Sequence, residues 1–243
     1  WPKCLMPIGG VPLLEHWLTN VSAAGIDTAL VNLHHQSDVV QEFLAREIFE
    51  DIVHHVYEDE LLGTAGTLRK NRDFFRDRTI LLAHADNWCQ CDFNAFIDYH
   101  LNCRPKGCSI TMMTFDSPDP SSCGIVEMDD DGIVLNMFEK QMNPPGNCAN
   151  GAVYLLEPEI LEFISNDTNI SDFSTQVIPA FYRKIATWHN DGIHRDIGTP
   201  DALKEAQNDN PEEPYSTTSD EWTQWFSSHP IHKKIDRLVN CVS

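Results

Sequence analysis

Apolar positions along the chain alternate between two spacings, one helical and one in short unbroken runs. Leu13, Leu14, Trp17, Leu18 and Val21 fall at helical spacing, which predicts a helix over residues 11–24, closed by Gly25. Residues 28–33 read as a buried strand. Residues 37–49 read as a helix with Ser37 as N-cap, and 52–57 as a second strand. A helix over 64–72, a strand over 79–83, a helix over 92–103 and a β-branched strand over 108–115 follow. Such alternation predicts an α/β fold with a Rossmann-like, mostly parallel sheet flanked by helices. In sheets of that kind ligands bind at the carboxyl ends of the strands.

The pattern then changes. Two strands, 124–128 and 133–138, flank Asp129-Asp130-Asp131-Gly132, which predicts a β-hairpin. A strand over 151–156, helices over 158–164 and 175–183, a strand over 185–188 and a closing helix over 200–207 complete the expected domain, residues 1–207. Residues 208–220 are polar and rich in Pro, Glu, Ser and Thr, the composition of a linker. Residues 219–242 predict one or two helices with Trp222, Trp225 and Phe226 on one apolar side. That side has two readings: packing on the domain, or a contact in a homo-oligomer.

Charge narrows the partners. With 17 basic against 37 acidic residues the formal net charge is −20. No basic stripe is available for nucleic acid or for an anionic membrane. An acidic protein that handles phosphates needs a cation to offset the repulsion. The eight cysteines do not form a compact disulfide framework. Cys89, Cys91, Cys103 and Cys108 lack a paired C-x₂-C, so buried free thiols are the reading rather than zinc ligands. Reduced cysteines, and no run near the ~20 apolar residues of a membrane span, point to the cytoplasm.

Four local patterns carry chemistry. Gly63 and Gly66 bracket Thr64-Ala65 at a helix entry, where a backbone without Cβ atoms admits a flat or anionic ligand. Glu139-Lys140 follows the hairpin, pairing a carboxylate for hydroxyls with an ammonium for phosphate. Asn150-Gly151 opens a strand. Asp86 follows one apolar strand, and Asp196 stands in His194-Arg195-Asp196-Ile197-Gly198-Thr199-Pro200 near another. Two carboxylates from two strand ends can hold one Mg²⁺ against a phosphate chain.

Taken in order, Gly-Thr-Ala-Gly, strand-Asp-Asn, Gly-Ile-Val-Glu with its Asp-Gly hairpin, Glu-Lys, Asn-Gly-Ala-Val-Tyr and Arg-Asp-Ile-Gly-Thr-Pro resemble the sugar-1-phosphate nucleotidylyltransferases. The mannose-1-phosphate guanylyltransferase-like branch is the most similar. The resemblance runs from Pro2 to about Ala206. It implies a small hairpin subregion that binds sugar. It also implies Mg²⁺ as cofactor, held by Asp86 and Asp196, and GTP or another nucleoside triphosphate with a sugar-1-phosphate as substrates. Lys3 would contact phosphate, and Gly63 and Thr64 would lie against the base. Gly124 and Asn150 would border the sugar, Glu139 would bind its hydroxyls and Lys140 its phosphate. A uridylyl- or thymidylyltransferase, and a binder of nucleotide sugars without activity, are the rival readings.

Three departures accompany the resemblance. The family's Gly-x-Gly-Thr-Arg loop and first strand are expected just before Trp1. Ala85 precedes the first Asp where Gly is usual, and Ala152 stands where the family usually has Gly.

Overall fold

The computed structural model describes residues 1–209 and 219–240. Residues 210–218 of the expected linker, and 241–243 with Cys241, lie outside the described residues.

In chain order the elements are β1 (Pro7–Ile8), β2 (Val11–Pro12), α1 (Leu13–Ala23), β3 (Ala29–Leu33), α2 (Ser37–Leu44), β4 (Val53–Tyr57), α3 (Thr64–Lys70), α4 (Arg72–Phe75), β5 (Ile80–Ala83) and β6 (Asn87–Gln90). They continue with α5 (Phe93–Asp98), β7 (Ile110–Asp116), β8 (Gly124–Met128), β9 (Val134–Glu139), β10 (Cys148–Leu156), α6 (Pro158–Asn166), α7 (Ile178–Ala180), β11 (Ile185–His189), β12 (Ile193–Asp196), α8 (Pro200–Asn208), α9 (Glu221–Ser227) and α10 (Pro230–Asn240). The chain divides into two compact units. The first holds Trp1–Glu60, Ala85–Cys91 and the described residues from Gly192 on; the second holds Leu61–His84 and Asp92–Asp191.

In the first unit, β3 and β4 form a parallel pair from Ala29↔Val53 to Leu33↔Tyr57. Leu14 and Leu18 of α1 and Val40, Phe43 and Leu44 of α2 close a core with Leu5, Leu33 and Phe49. The first helix begins at Leu13 rather than residue 11. Val11 pairs with Ile8, and Pro12 is extended with ψ 137°. β6 and β12 form a second, antiparallel ladder. Neither was legible as a strand, because Asn-Trp-Cys-Gln and Ile-His-Arg-Asp are short and half polar.

The two tail helices belong to this unit. Asp220 caps α9 by accepting the Thr223 N–H, and the Thr223 hydroxyl accepts the Asp220 N–H, closing a capping box. Trp222 stacks on Phe226 at 4.8 Å and meets Phe43 edge-on at 4.9 Å. Between these rings lies Arg46, its side chain only 3% exposed. Its guanidinium stands 5.2 Å from the Phe43 and Phe49 rings and 5.3 Å from Trp222. It pairs with Glu15 at 2.5 Å and Asp220 at 2.7 Å.

In the second unit the strand order is β11-β7-β10-β8-β9, with β5 pairing β10. β11 runs parallel to β7, while β10 is antiparallel to β5, β7 and β8. The α/β class is borne out, with a ladder that is mixed here. The core gathers Ile110, Met112, Tyr154, Leu156, Ile160 and Ile164. The hairpin of β8 and β9 closes as expected, with Gly132 at φ +73° and Asp129 Oδ1 accepting the Asp131 and Ile133 N–H groups.

Four helices end earlier than expected. That over 37–49 stops at Leu44, with a separate 3₁₀ turn at Glu47–Phe49, and Ser37 is its first residue rather than its N-cap, a place held by Gln36 in a left-handed conformation. The helix over 64–72 breaks at Asn71, whose amide Nδ2 donates to the Thr67 carbonyl at 2.9 Å. That over 92–103 passes into a π-helical turn at Tyr99–Cys103. That over 175–183 is a π-helical turn, Phe173–Val177, followed by α7 alone; Pro179, which has no N–H, suits only a first helical turn. Of the four thiols read as buried, Cys89 and Cys108 are buried, Cys91 is half-buried and Cys103 is exposed.

Burial also sets an acid limit on stability. His16, 3% exposed, binds the Ile8 carbonyl through Nε2 at 3.1 Å, and desolvation pushes its pKa down to about 4. The unfolded chain takes up that proton near pH 6.5 and the folded chain only near 4. Stability is therefore whole above pH 6.5 and falls as the pH drops toward 4. Between pH 7 and pH 5, His16→Gln is expected to lose about 2 kcal/mol less than the parent, read by urea unfolding. Equal losses would show that His16 charges without cost.

Candidate active site

The first unit places a cation between two carboxylates. Asp196 ends β12 and pairs in register with Asn87, the first residue of β6. Asp86 immediately precedes Asn87, so the ladder brings the two acids side by side although they are far apart in sequence. The Trp17 indole N–H donates to the Asn87 carbonyl at 2.8 Å and fixes this end of β6 against α1. Asp196 is held by its own turn, its Oδ1 accepting the Gly198 N–H at 2.8 Å. The Thr199 hydroxyl caps α8 through the Ala202 N–H at 3.2 Å, with Pro200 in the first turn.

Lys3 completes the group. It begins a single 3₁₀ turn, Lys3–Leu5, anchored by Leu5, which is 0% exposed. Its Nζ donates to Asp86 Oδ2 at 3.1 Å and to Asp196 Oδ1 at 2.5 Å. Burial works against the Lys3 ammonium, but the hydrogen bonds and charges of Asp196 and Asp86 outweigh it and raise its pKa. Desolvation likewise opposes the Asp196 carboxylate, yet Lys3 and the Gly198 N–H hold its pKa below the ordinary value. Arg195, next in the chain, turns to Glu205 and Asp209 and ties β12 to α8.

The donor set suits Mg²⁺. Among the described residues no three His, Cys, Asp or Glu side chains form a cage. Mg²⁺ binds through one or two carboxylates and leaves its other positions to water and phosphate oxygens.

The second unit gathers the other expected residues into two groups. Gly124 on β8 lies directly across from Glu139 on β9. A Cβ on Gly124 would come 2.9 Å from Glu139 Oε1, so the missing side chain gives the carboxylate its place. On the strand beyond β8, Asn150 Oδ1 accepts the Ala152 N–H at 2.9 Å, and its Nδ2 donates to the Tyr154 hydroxyl at 2.7 Å. Asn150 thereby spans a register shift in β10. Ala152 sits at φ +52°, a left-handed conformation that favours glycine and accounts for Gly as the usual residue there. Lys140 is exposed at φ +44°, its N–H donating to the Cys123 carbonyl at 3.1 Å.

Gly63 and Thr64 form the other group, at the start of α3. Gly63 has φ +73°, and its Cβ would meet the Ser171 carbonyl oxygen at 2.4 Å. That carbonyl accepts the Ala65 and Gly66 N–H groups at 3.0 and 3.3 Å. The helix start is thus satisfied by Ser171 rather than capped by Thr64, and these two donors are committed within the protein. Gly63→Ala combines an unfavourable φ with a backbone collision. The expected loss is about 2–4 kcal/mol by urea unfolding, and a change under about 0.5 kcal/mol would contradict the close approach.

Sequence reasoning named Lys3, Asp86 and Asp196 but not the bonds of Lys3 to both acids. Ser171 as a shaping residue also escaped it, for no local pattern marks it.

The first unit is thus an α/β body in which Lys3 bridges the carboxylates of Asp86 and Asp196. The chain belongs to the family described as Nucleotidyl transferase, whose family model matches residues 1–213. It is 26% identical over 205 residues to a mannose-1-phosphate guanylyltransferase of Mycobacterium tuberculosis, covering 82% of this chain and 56% of that protein. A mannose-1-phosphate guanyltransferase of Saccharomyces cerevisiae is 24% identical over 205 residues, with the same shares, 82% and 56%. The chain thus spans about half the length of the curated relatives it matches. The crystal structure of HddC from Yersinia pseudotuberculosis complexed with GMP-PN shares the fold, with a TM-score of 0.71 and 20% identity over 86% of this chain and 89% of that one.

Proposed function

We propose that the protein transfers a nucleotidyl group from a nucleoside triphosphate to a sugar-1-phosphate, releasing pyrophosphate. GTP and mannose-1-phosphate, or a related sugar, are the proposed pair, and the cytoplasm the proposed setting. The observation that carries this reading is the meeting of Asp86, Asp196 and Lys3 in a chain of the nucleotidyl transferase family. The names of its relatives support guanylyl transfer in particular.

In this reading Asp86 and Asp196 hold Mg²⁺. The ion would neutralise charge on the phosphates while a sugar phosphate oxygen attacks the α-phosphorus in line. Lys3 binds phosphate. Gly63 and Thr64 face the base, the close contact of Gly63 with Ser171 fixing that segment. Gly124 leaves room for Glu139 to accept hydrogen bonds from sugar hydroxyls. Asn150, oriented by Tyr154 and Ala152, borders the sugar, and Lys140 takes its phosphate. No side chain needs to become covalently attached, so catalysis rests on positioning and charge.

The test is incubation of the full-length protein and Mg²⁺ with GTP, UTP and dTTP, each against a panel of sugar-1-phosphates, with products identified by mass. A GDP-sugar supports the proposal, and a UDP- or dTDP-sugar moves it to the sister activities. Binding without product in every pair would leave a nucleotide-sugar-binding homologue.

A further inference from the structure

We propose that Lys3 is a built-in counter-cation of the carboxylate pair, which a divalent ion must displace and which is thereby released to the phosphate chain. The inference rests on the reading of Asp86 and Asp196 as metal ligands and adds a competition to it.

The Lys3 ammonium donates to one oxygen of each acid, at 3.1 and 2.5 Å. These are the oxygens that face a shared centre. A divalent ion bound to both oxygens would have to take the place the ammonium now holds between them. Two cations cannot share that place, so one excludes the other. The fold lets the lysine leave without disturbing its backbone. Leu5 is fully buried in the same 3₁₀ turn, the Met6 N–H donates to the Lys3 carbonyl at 3.0 Å, and the Lys3 side chain remains 31% exposed. A flexible four-carbon stem on a fixed turn can swing its charge by several ångströms. Near these two acids, in a chain of net charge −20, the ammonium also holds two like charges together before any metal arrives.

One consequence separates this role from a plain phosphate contact. A lysine that only touches phosphate has no effect on metal binding in the absence of substrate. A lysine that occupies the metal's place weakens it. Removing the ammonium without adding a new charge must therefore tighten metal binding while impairing transfer.

The experiment is Mn²⁺ binding to the substrate-free, full-length protein, followed by the electron paramagnetic resonance of the free ion. The parent is compared with Lys3→Met, Lys3→Arg and Asp86→Asn. Lys3→Met is expected to bind Mn²⁺ roughly tenfold more tightly than the parent, the size of an ordinary coupling between two sites. Lys3→Arg, which keeps the charge, is expected to stay within about threefold of the parent. Mn²⁺ binding that Asp86→Asn abolishes, but that is equal or weaker in Lys3→Met, would overturn the competition and leave the metal site standing. Mn²⁺ binding that is absent, or indifferent to Asp86→Asn, would overturn the metal site itself and the competition with it.

Discussion

Asp86→Asn and Asp196→Asn are each expected to lower nucleotidyl transfer by about 100-fold or more while the protein stays folded. A neutral amide supplies an oxygen but no charge, so the cation centre loses half of its neutralisation. Removing one well-placed electrostatic contact in an active site costs about 10²–10³ in rate. The stability change should be small because the two acids are 48% and 72% exposed. Exposed ion pairs contribute only about 0–1 kcal/mol. The pairing of Asn87 with Asp196 across the β6–β12 ladder does not use either carboxylate, so the local backbone should persist in both variants. Rates near the parent value in either variant would remove that residue from the metal pair. Loss of rate together with unfolding would assign the acid to structure instead.

Arg46→Met is expected to have the opposite profile, a large loss of stability from a position that touches no proposed substrate. Arg46 is the partner of Glu15, whose side chain is only 6% exposed. Deleting one member of such a pair leaves a carboxylate in an apolar setting, which costs about 3–5 kcal/mol. The rings of Phe43, Phe49 and Trp222 around the guanidinium would retain some contact with a methionine, so the loss should come mainly from Glu15. For a chain of this size the midpoint of thermal unfolding would fall by roughly 10 °C. Adding Glu15→Leu should restore most of the loss, because two apolar residues of similar volume replace a buried ion pair at little cost. A midpoint drop under about 2 °C for Arg46→Met, or no recovery in the double variant, would show that the pair is not what secures this core.

The parts of the fold that were legible share one property: the signal was local. The stripe Leu13, Leu14, Trp17, Leu18 and Val21 marks α1, and the β8–β9 hairpin is marked by two apolar runs around an Asp-Gly turn. The parts that were hidden depend on pairing across the chain. β6 and β12 have too few apolar residues to announce themselves, yet their register is what places Asp86 beside Asp196. These acids drew attention as carboxylates near strand ends, and their order among the other motifs gave the pair a family context. Lys3 was named for phosphate, while its bonds to both acids required the ladder to be seen. The same holds for the Ser171 carbonyl that shapes Gly63, and for Arg46, whose partner Asp220 lies far along the chain. Local departures were also informative. Ala152 is only a departure from glycine in the sequence, and its left-handed backbone gives the usual glycine a physical reason.

The proposed reaction is metal-assisted nucleotidyl transfer through the Asp86–Asp196 pair. Pyrophosphate release by the full-length protein with GTP and mannose-1-phosphate, titrated with Mg²⁺ from a chelated start, tests it most directly. No release is expected without the ion, and the rate should rise to saturation as Mg²⁺ is added. Release that is unchanged in the chelated protein, or absent at every Mg²⁺ concentration, would contradict it.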